Sequence, residues 1–412
     1  MRYYKRKNPM LIREMIRNVY KECKGVPKSN CLTKEQRLSL QMDEFMNRRY
    51  EFRYNTQIGE VEYRERFSFQ FYFHPIDKRA QNSIMLDAQS EGIGVWDRDI
   101  DRYLHSNRVP IYNPLEEFLF HLPHWDGKDR IHALANRVPC KNPHWELLFH
   151  RWFLNMVSHW RGVDKMHANN TSPILVGRQG THKSTFCREM IPPALRAYYT
   201  DSIDFSHKRD AELYLNRFAL INIDEFDQIT LPQQGFLKHI LQKPVVNLRK
   251  PHGRSVLELQ RYASFIGTSN QKDLLTDPSG SRRFICIEVT GNIDTTQPID
   301  YEQLYAQAMH EIHHGERYWF DSEDEQIMTE NNREFEQTPA MLQLFYQYFK
   351  TAQTKEEGEF LTPVEILNYL KKKSGMSLSD NKVYHFGRLL QKCGIPSKHT
   401  YKGTVYQVIK LS

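Results

Sequence analysis

Short apolar runs alternate with helix-like segments through the middle of the chain. Both faces of such strands are buried when helices cover a parallel sheet, so the alternation predicts an α/β fold with helices on both faces of a parallel sheet. A β-hairpin is predicted over 245–259, with residues 249–254 at its tip. The predicted strands are 174–176, 197–200, 218–225, 263–268 and 283–289, and the predicted helices are 184–190, 211–215 and 231–242.

The segment before this sheet mixes helical spacing with strand-like alternation. Thr33 stands where it could cap a helix, and Gly92 and Gly94 interrupt another helix-like stretch. Pro123 ends an apolar helical stripe. The predicted elements are helices over 9–23, 33–49, 83–104, 115–122 and 144–161, and a hairpin over 50–63 with its turn at 55–59.

The pattern changes again toward the C-terminus. Residues 300–350 predict helices, and the polar stretch 351–359 is interpreted as a linker. Two helices and a basic hairpin follow, which are typical of a small winged-helix unit whose second helix could enter a major groove. These elements are helices over 363–373 and 379–393 and a hairpin of 397–401 and 405–410. The predicted domains are a helical or α+β region (1–140), a central α/β domain (141–298), a helical extension (299–350) and a winged-helix-like module (362–412).

Composition excludes several classes of protein. The chain has 412 residues, of which 40% are hydrophobic and 12% aromatic, so a sizeable core can form. It contains no apolar run of 18 residues, and its basic start lacks an apolar stretch, so we expect neither a membrane span nor a secretory signal. Six scattered cysteines fit a reducing cytoplasm and argue against a zinc site or a disulfide framework.

Charge is concentrated at the two ends. The net charge is +7, from 57 basic and 50 acidic residues. Residues 1–50 contribute +8 and residues 362–412 contribute +7, whereas the residues between them sum to −8. A basic terminal module is expected of a protein that binds nucleic acid, although solvated surface charge is the alternative at either end. We expect DNA, single-stranded or forked, as the partner.

A glycine-rich loop joins the first predicted strand of the sheet to the next helix. It fits the phosphate-binding pattern G-x-x-x-x-G-K-[ST], except that His182 replaces the second glycine. Loop N–H groups would hold the phosphates of ATP, Lys183 would reach the β- and γ-phosphates, and Ser184 would bind Mg²⁺. A chance glycine-rich turn is the alternative. The predicted nucleotide-binding residues are Gly177, Arg178, Gln179, Gly180, Thr181, His182, Lys183, Ser184 and Thr185.

The residues that would cleave a phosphoanhydride follow in order. Asp224 ends an apolar strand and could hold the metal through water, and Glu225, one residue on, could polarise the attacking water. Asn270 ends the next strand, where an amide could sense the γ-phosphate, unless it only closes a turn. Arg282 and Arg283 precede the last strand and could act as an arginine finger on a neighbouring subunit, with a surface salt bridge as the alternative.

Two basic segments are candidates for contact with DNA. The tip of the 245–259 hairpin carries four basic or histidine residues within six positions, which suits a reader of backbone phosphates. A merely solvated loop is the alternative. The candidate DNA-binding residues are Arg249, Lys250, His252 and Arg254 at this tip, and Lys382, Arg388, Lys398 and Lys402 in the winged-helix-like module.

With these residues in place, the chain resembles the virulence-associated protein E (VapE) family, which looks like a branch of the superfamily 3 helicases within the AAA+ ATPases. The resemblance implies an ATP-driven DNA translocase that forms a hexameric ring of identical subunits and serves the replication of phages, plasmids or islands. It also implies that the 245–259 segment is a pore hairpin. The matching segments are 50–55, 113–114, 125–130, 177–185, 224–225, 267–270 and 280–284.

Three functions are weighed. The first is an ATP-hydrolysing DNA helicase or translocase, favoured by the ordered motifs and the two basic ends. The second is a DNA-binding regulator or origin-binding protein whose nucleotide pocket acts as a switch with little turnover, which the departure at His182 keeps open. The third is a phosphotransferase on a small molecule, for which no acceptor pocket is evident in the sequence.

Overall fold

The computed structural model describes residues 32–69, 71–162, 164, 166–248, 256–275, 278–337, 340–352, 358–375, 383–401 and 403–411. The chain divides after Leu122 into two compact units. The predicted helix over 9–23 lies outside the described residues. Within the described ranges, no helix combines the length and the apolar character that a membrane crossing requires.

The first unit packs helices against a small mixed sheet. Thr33 caps the first helix through a capping box, in which its hydroxyl accepts the Gln36 N–H at 3.2 Å and the Gln36 side chain accepts the Thr33 N–H at 2.9 Å. The core contains Phe45, Phe52 and Ile84. The elements are α1 Lys34–Arg49, β1 Tyr50–Asn55, β2 Glu60–Glu65, β3 His74–Pro75, α2 Lys78–Ser90, α3 Asp97–Leu104, β4 Ile111–Tyr112 and α4 Pro114–Phe120.

The strand order in this sheet is β3-β2-β1-β4, with β1 and β2 antiparallel and β4 parallel to β1. The pairing of Asn55 with Glu60 closes the β1–β2 turn, which confirms the hairpin predicted over 50–63. The helix-like stretch over 83–104 forms two helices, and both glycines at its predicted break, Gly92 and Gly94, lie between them.

The second unit contains the parallel sheet. Among the described residues, five strands pair side by side, all parallel, and helices flank them. Their order across the sheet is Phe284–Glu288 (β11), Ser172–Val176 (β5), Ser264–Ser269 (β10), Leu220–Ile223 (β7) and Tyr199–Thr200 (β6). The α/β prediction is therefore confirmed. The elements are α5 Ile131–Ala135, α6 Trp145–Arg161, β5 Ser172–Val176, α7 Lys183–Glu189, β6 Tyr199–Thr200, α8 Lys208–Arg217, β7 Leu220–Ile223, α9 Leu231–Leu241, β8 Val245–Leu248, β9 Leu257–Gln260, β10 Ser264–Ser269, β11 Phe284–Glu288, α10 Tyr301–His313 and α11 Ser322–Asn332.

Helix α6 lies against this sheet and is buried nearly all round, and its buried residues include the polar His150, Asn155, Ser158 and His159. Two of its indole N–H groups bond the sheet region: Trp152 donates to the Phe265 carbonyl at 3.1 Å and Trp160 to the Ala219 carbonyl at 3.3 Å. One predicted strand is shorter than expected. Residues 193–198 form a 3-10 helix instead, because Pro193 fixes φ and lacks the N–H that a strand would use, which leaves Tyr199 and Thr200 as β6.

The hairpin predicted over 245–259 is present as β8 and β9, which pair antiparallel from Val245 opposite Gln260 to Leu248 opposite Leu257. Its tip, residues 249–255, lies outside the described residues.

The C-terminal part of this unit is built on one long strand. This strand, Gly403–Lys410 (β15), pairs antiparallel with three shorter strands. These are Phe349–Thr351 (β12), Glu359–Leu361 (β13) and Ser397–Thr400 (β14). The strands β12 and β13 were not predicted, because three residues are too few to display alternation. The elements are α12 Ala340–Tyr348, β12 Phe349–Thr351, β13 Glu359–Leu361, α13 Pro363–Ser374, α14 Val383–Lys392, β14 Ser397–Thr400 and β15 Gly403–Lys410.

Residues 340–352 share a core with the residues that follow them. Phe345 and Phe349 pack with Leu370 and Phe386 in one buried cluster. The sequence had grouped 340–350 with the preceding helices, because a helix pattern does not show which neighbour it packs against. The predicted start of the second helix at Ser379 or Asp380 lies outside the described residues.

Candidate functional site

Three adjacent strands end at one edge of the parallel sheet. Strand β10 lies between β5 and β7, with Ser269 level with Val176 and Gly267 level with Ile223. The residues that follow these strands therefore leave the sheet together, at the carboxyl edge where open α/β sheets bind ligands. Residues of the glycine-rich loop, the carboxylate pair and Asn270 are brought together in this way.

The glycine-rich loop has a defined backbone. The Gly177 N–H donates to the Ser269 carbonyl at 3.1 Å, and a Cβ added at Gly177 would lie 2.9 Å from the Val289 carbonyl oxygen. Only glycine fits that close approach. His182 lies at φ +65° and ψ 22°, in the left-handed region that glycine enters most easily. Residue 182 thus has a backbone conformation that glycine adopts without steric cost, and histidine is among the residue types enriched there.

The Lys183 side chain folds back into the loop. Its ammonium donates to the carbonyls of Gly177 at 2.8 Å and Arg178 at 2.7 Å, with the Thr181 hydroxyl at 3.4 Å and the Asn270 amide oxygen at 3.3 Å. The residue is only 6% exposed. Burial lowers the pKa of this ammonium, and the charge of Asp224 opposes the shift. Lys183 is therefore held at the junction of the loop and β10.

The other loop residues face outward. Arg178, Gln179, Gly180, His182, Ser184 and Thr185 are exposed, whereas Thr181 is buried and its hydroxyl donates to the Arg178 carbonyl at 2.9 Å.

Two hydroxyl groups from different segments of the chain hydrogen-bond to the Asp224 carboxylate. The Ser184 hydroxyl donates to its Oδ1 atom at 3.0 Å, and the Thr268 hydroxyl hydrogen-bonds the same oxygen. A hydroxyl and a carboxylate side by side are oxygen ligands of the kind Mg²⁺ prefers. Among the described residues, no group of three or more His, Cys, Asp or Glu could hold a metal ion by itself.

Glu225 has an unusual backbone. It lies at φ 53° and ψ 51°, and among the described residues only it and His182 combine a positive φ with a side chain larger than glycine's. Such strain gathers at functional sites when the surroundings hold it in place. The side chain is exposed and, with Asp224, borders a cavity of about 210 Å³ that Asp201, Asp204 and Phe205 also line.

Arg282 and Arg283 are not part of this cluster. They end a 3-10 helix before β11, whose first residue, Phe284, pairs with Ser172 at the start of β5. Gly177 lies five residues further along, which corresponds to about 17 Å of strand. The Arg282 guanidinium donates to Glu325 at 3.0 Å. The two arginines therefore lie at the amino edge of the sheet, away from their own loop.

The candidate DNA-binding residues are only partly described. Arg249, Lys250, His252, Arg254, Lys382 and Lys402 lie outside the described residues. On α14, the Arg388 guanidinium carbon lies 5.6 Å from the Tyr384 ring centre, and on β14 the Lys398 ammonium lies 3.5 Å from the Phe360 ring centre. Both are cation–π contacts on the surface of the C-terminal module.

Sequence reasoning missed the polar residues that connect the site. Thr268 and Ser269 contact Asp224 and Asp227, respectively. The sequence offered only the signals that both precede Asn270 and that both lie in the matching segment 267–270. Arg261 gave no signal at all. It is buried, its pKa is lowered to about 9 by that burial, and its guanidinium donates only to backbone carbonyls at the described contacts. These carbonyls belong to Asn169, Ile240, Leu241, Lys243 and Ala263.

The fold and the site define a mixed α/β protein with polar residues converging at the carboxyl edge of a parallel sheet. The family model described as the virulence-associated protein E-like domain matches residues 119–337, just over half of the chain. The chain therefore belongs to that family, which confirms the resemblance at the level of the family. A second model, a domain of unknown function described from B. Theta, matches residues 338–408.

Solved structures of the NrS-1 C-terminal region are similar at a low level. Two of them, titled as the apo structure and the A form apo structure, are 11% identical, cover 90% of this chain and 98% of theirs, and have TM-scores of 0.44 and 0.45. A further A form apo structure has a TM-score of 0.43. Likeness at this level supports no conclusion about function. No curated protein matches the chain.

Proposed function

We propose that the chain is an ATP-hydrolysing DNA helicase or translocase, similar to the superfamily 3 branch of the AAA+ ATPases, that acts in the replication of a phage or mobile element. The observation that carries the proposal is the meeting of Lys183, Ser184, Asp224, Glu225 and Asn270 at the ends of three adjacent parallel strands. Phosphoanhydride cleavage needs a cation at the phosphates, a metal site and a group that orients water. This set supplies a candidate for each need.

The residues fit a magnesium nucleotide. Mg²⁺ is usually held by one or two protein oxygen ligands and keeps its other positions for water and phosphate. Ser184 and Asp224 offer such a pair, with their oxygens 3.0 Å apart. At position 177 the loop passes so close to the Val289 carbonyl that only glycine, which has no side chain, fits there. When bound, the metal would neutralise charge on the phosphates.

The side chains then have separate tasks. Lys183 would exchange loop carbonyls for phosphate oxygens, for which an ammonium is the better partner because the hydrogen bond joins opposite charges. Glu225 would orient the attacking water and accept its proton. Asn270 accepts a hydrogen bond from Lys183 at 3.3 Å, so it would register the movement of that ammonium toward the nucleotide.

A ring of identical subunits would complete the site. Arg282 and Arg283 lie at the sheet edge opposite their own loop, which leaves them able to serve only a neighbour's nucleotide. An arginine supplied in this way stabilises charge in the transition state. The proposal therefore includes a homo-oligomer, and a hexamer is the form that the family resemblance suggests.

We propose that DNA is the polymer along which the protein moves. The hairpin β8–β9 would present Arg249, Lys250, His252 and Arg254 at its tip, and the C-terminal module would add Lys382, Arg388, Lys398 and Lys402. Contacts of this kind with phosphates give binding that weakens steeply with salt.

A second candidate is a nucleotide-switched DNA-binding regulator with little turnover. The observation that favours it is the set of four acceptors already around the Lys183 ammonium, because nucleotide must displace some of them. Slow hydrolysis together with ATP-dependent binding of duplex DNA would identify this function.

The first test compares hydrolysis with and without single-stranded DNA. Wild-type protein should hydrolyse ATP faster when DNA is added. Lys183→Ala should lose nucleotide binding and hydrolysis together, whereas Glu225→Gln should bind nucleotide and lose only hydrolysis. Lys34→Ala, an exposed lysine on α1, is the matched control and should leave both unchanged. Hydrolysis that ignores DNA and survives Lys183→Ala would refute the proposal.

The second test measures mass by light scattering, with and without an ATP analogue and a single-stranded oligonucleotide. A ring that forms on addition of the analogue supports translocation. A monomer under every condition would refute the trans role of Arg282 and Arg283.

A further inference from the structure

The candidate water-activating residue, Glu225, sits between two anchored neighbours. On one side, Asp224 is hydrogen-bonded by Ser184 and Thr268. On the other side, Phe226 is fully buried and its ring lies 5.1 Å from that of Phe284. Glu225 must therefore take up the change of direction between them, and it does so in the left-handed region.

The next residue in this turn, Asp227, is held by the adjoining strand. The Ser269 hydroxyl donates to its Oδ1 atom at 2.8 Å, and the Gln228 side-chain amide donates to its Oδ2 atom at 2.8 Å. Ser269 is 1% exposed, so water does not compete freely for its hydroxyl. The Gln271 carbonyl lies at the same 2.8 Å, but the carboxylate is charged and is the stronger acceptor.

Ser269 also reaches the phosphate loop through its backbone. Its carbonyl accepts the Gly177 N–H at 3.1 Å, while its side chain holds Asp227. One residue at the end of β10 thus joins the start of the loop to the turn that carries Glu225. A non-glycine residue in the left-handed region is strained and persists only where the surroundings fix it. The Ser269–Asp227 hydrogen bond is placed to do that.

We propose that Asp227 and Ser269 are positioning residues that hold Glu225 in its left-handed conformation and so set the direction from which it meets the attacking water. The inference rests on the proposed hydrolysis and adds two residues that had no role in it. Neither side chain would touch the nucleotide. Their effect would pass through Glu225, and would appear in the chemical step rather than in nucleotide binding.

The kinetic test uses Ser269→Ala, Asp227→Ala and Asp227→Asn. The two alanine variants should each lower kcat by about tenfold, because they remove one part-buried hydrogen bond to a carboxylate, and should leave the KM for ATP within about twofold. The double alanine variant should be no slower than the slower single variant, because both sever the same contact. Asp227→Asn keeps an acceptor oxygen and should retain most of kcat.

The matched control is Ser264→Ala, at the opposite end of the same strand. It removes a buried hydroxyl that accepts from Asn169 at 2.9 Å, so it costs a comparable hydrogen bond far from the loop. It should lower thermal stability and leave kcat unchanged. An equal loss of kcat in Ser264→Ala and Ser269→Ala, or a rise in KM as large as the fall in kcat, would overturn the proposal.

A readout without catalysis separates this inference from the proposed function. The Gln228 N–H donates to the Glu225 carbonyl at 2.8 Å, so hydrogen exchange at Gln228 reports on the turn. Exchange there should quicken several-fold in Ser269→Ala and not in Ser264→Ala. If wild-type protein binds ATP but does not hydrolyse it, the proposed function fails, and exchange at Gln228 still decides the positioning role. Unchanged exchange in Ser269→Ala would overturn it.

Discussion

Replacing His182 by glycine isolates the energetic consequence of the departure from the phosphate-loop pattern. His182 lies at φ +65°, where a residue with a Cβ pays about 1 to 2 kcal/mol. Glycine has little steric cost there, but it lowers the free energy of unfolding by about 0.5 to 1 kcal/mol, because the unfolded chain gains conformational freedom. His182→Gly should therefore stabilise the second unit by about 0.5 to 1 kcal/mol. His182→Val, which is β-branched, should destabilise it.

The assay is thermal unfolding followed by tryptophan fluorescence. Trp145, Trp152 and Trp160 are all buried in α6, so their emission reports on the unit that holds the loop. For a unit of this size the expected rise in Tm for His182→Gly is about 1 to 3 °C. Nucleotide affinity, measured in parallel, should be kept in the glycine variant, because the loop conformation is unchanged.

The order of stability among wild type, His182→Gly and His182→Val tests whether the backbone at residue 182 is left-handed. Stability should fall in the order glycine, histidine, valine. If the valine variant is as stable as wild type, or the glycine variant is less stable, then the backbone at residue 182 is not left-handed and the loop differs from the one described. The comparison needs no nucleotide, so it stands apart from the proposed activity.

Four further changes test other parts of the structure. Burial lowers the pKa of His159 to about 3, below its unfolded value, so the free energy of unfolding should fall with pH from about 6.5 down to 3, by up to about 1.4 kcal/mol per unit, and His159→Gln should flatten this slope in denaturant titrations. Arg261→Met leaves buried backbone carbonyls without their hydrogen-bond donor. It should lower the free energy of unfolding by about 3 to 5 kcal/mol in the same titration. Gly177→Ala places a Cβ 2.9 Å from a backbone oxygen and should weaken nucleotide binding about tenfold or more by calorimetry. Gly235→Ala, in the open interior of α9, should raise stability by about 0.5 to 1 kcal/mol.

The order of strands and helices could be predicted because each element has a local signature. An apolar strand such as Leu220–Ile223 is buried on both faces, and its composition shows it. The Thr33 capping box is equally local. The strands Phe349–Thr351 and Glu359–Leu361 carry no such signature, since their pairing depends on a strand more than forty residues away.

The candidate site could be predicted in part. The spacing of Lys183 and Ser184 fixes their place in the loop, and the carboxylates after β7 follow from strand order. The left-handed backbone at Glu225 could not be foreseen, because it arises from anchors on both sides that lie far apart in sequence. The role of Arg261 could not be predicted either, because its partners are backbone carbonyls, which every residue possesses.

The arrangement around β15 has a practical consequence for anyone dissecting the molecule. Because β12, β13 and β14 each pair with this one strand, a truncation that removes residues 403–410 would take away the strand with which all three pair. The exposed edges would then favour aggregation. Fragments of the C-terminal region should accordingly begin before Ala340 and retain Lys410, so that β15 and the three strands that pair with it stay in one polypeptide.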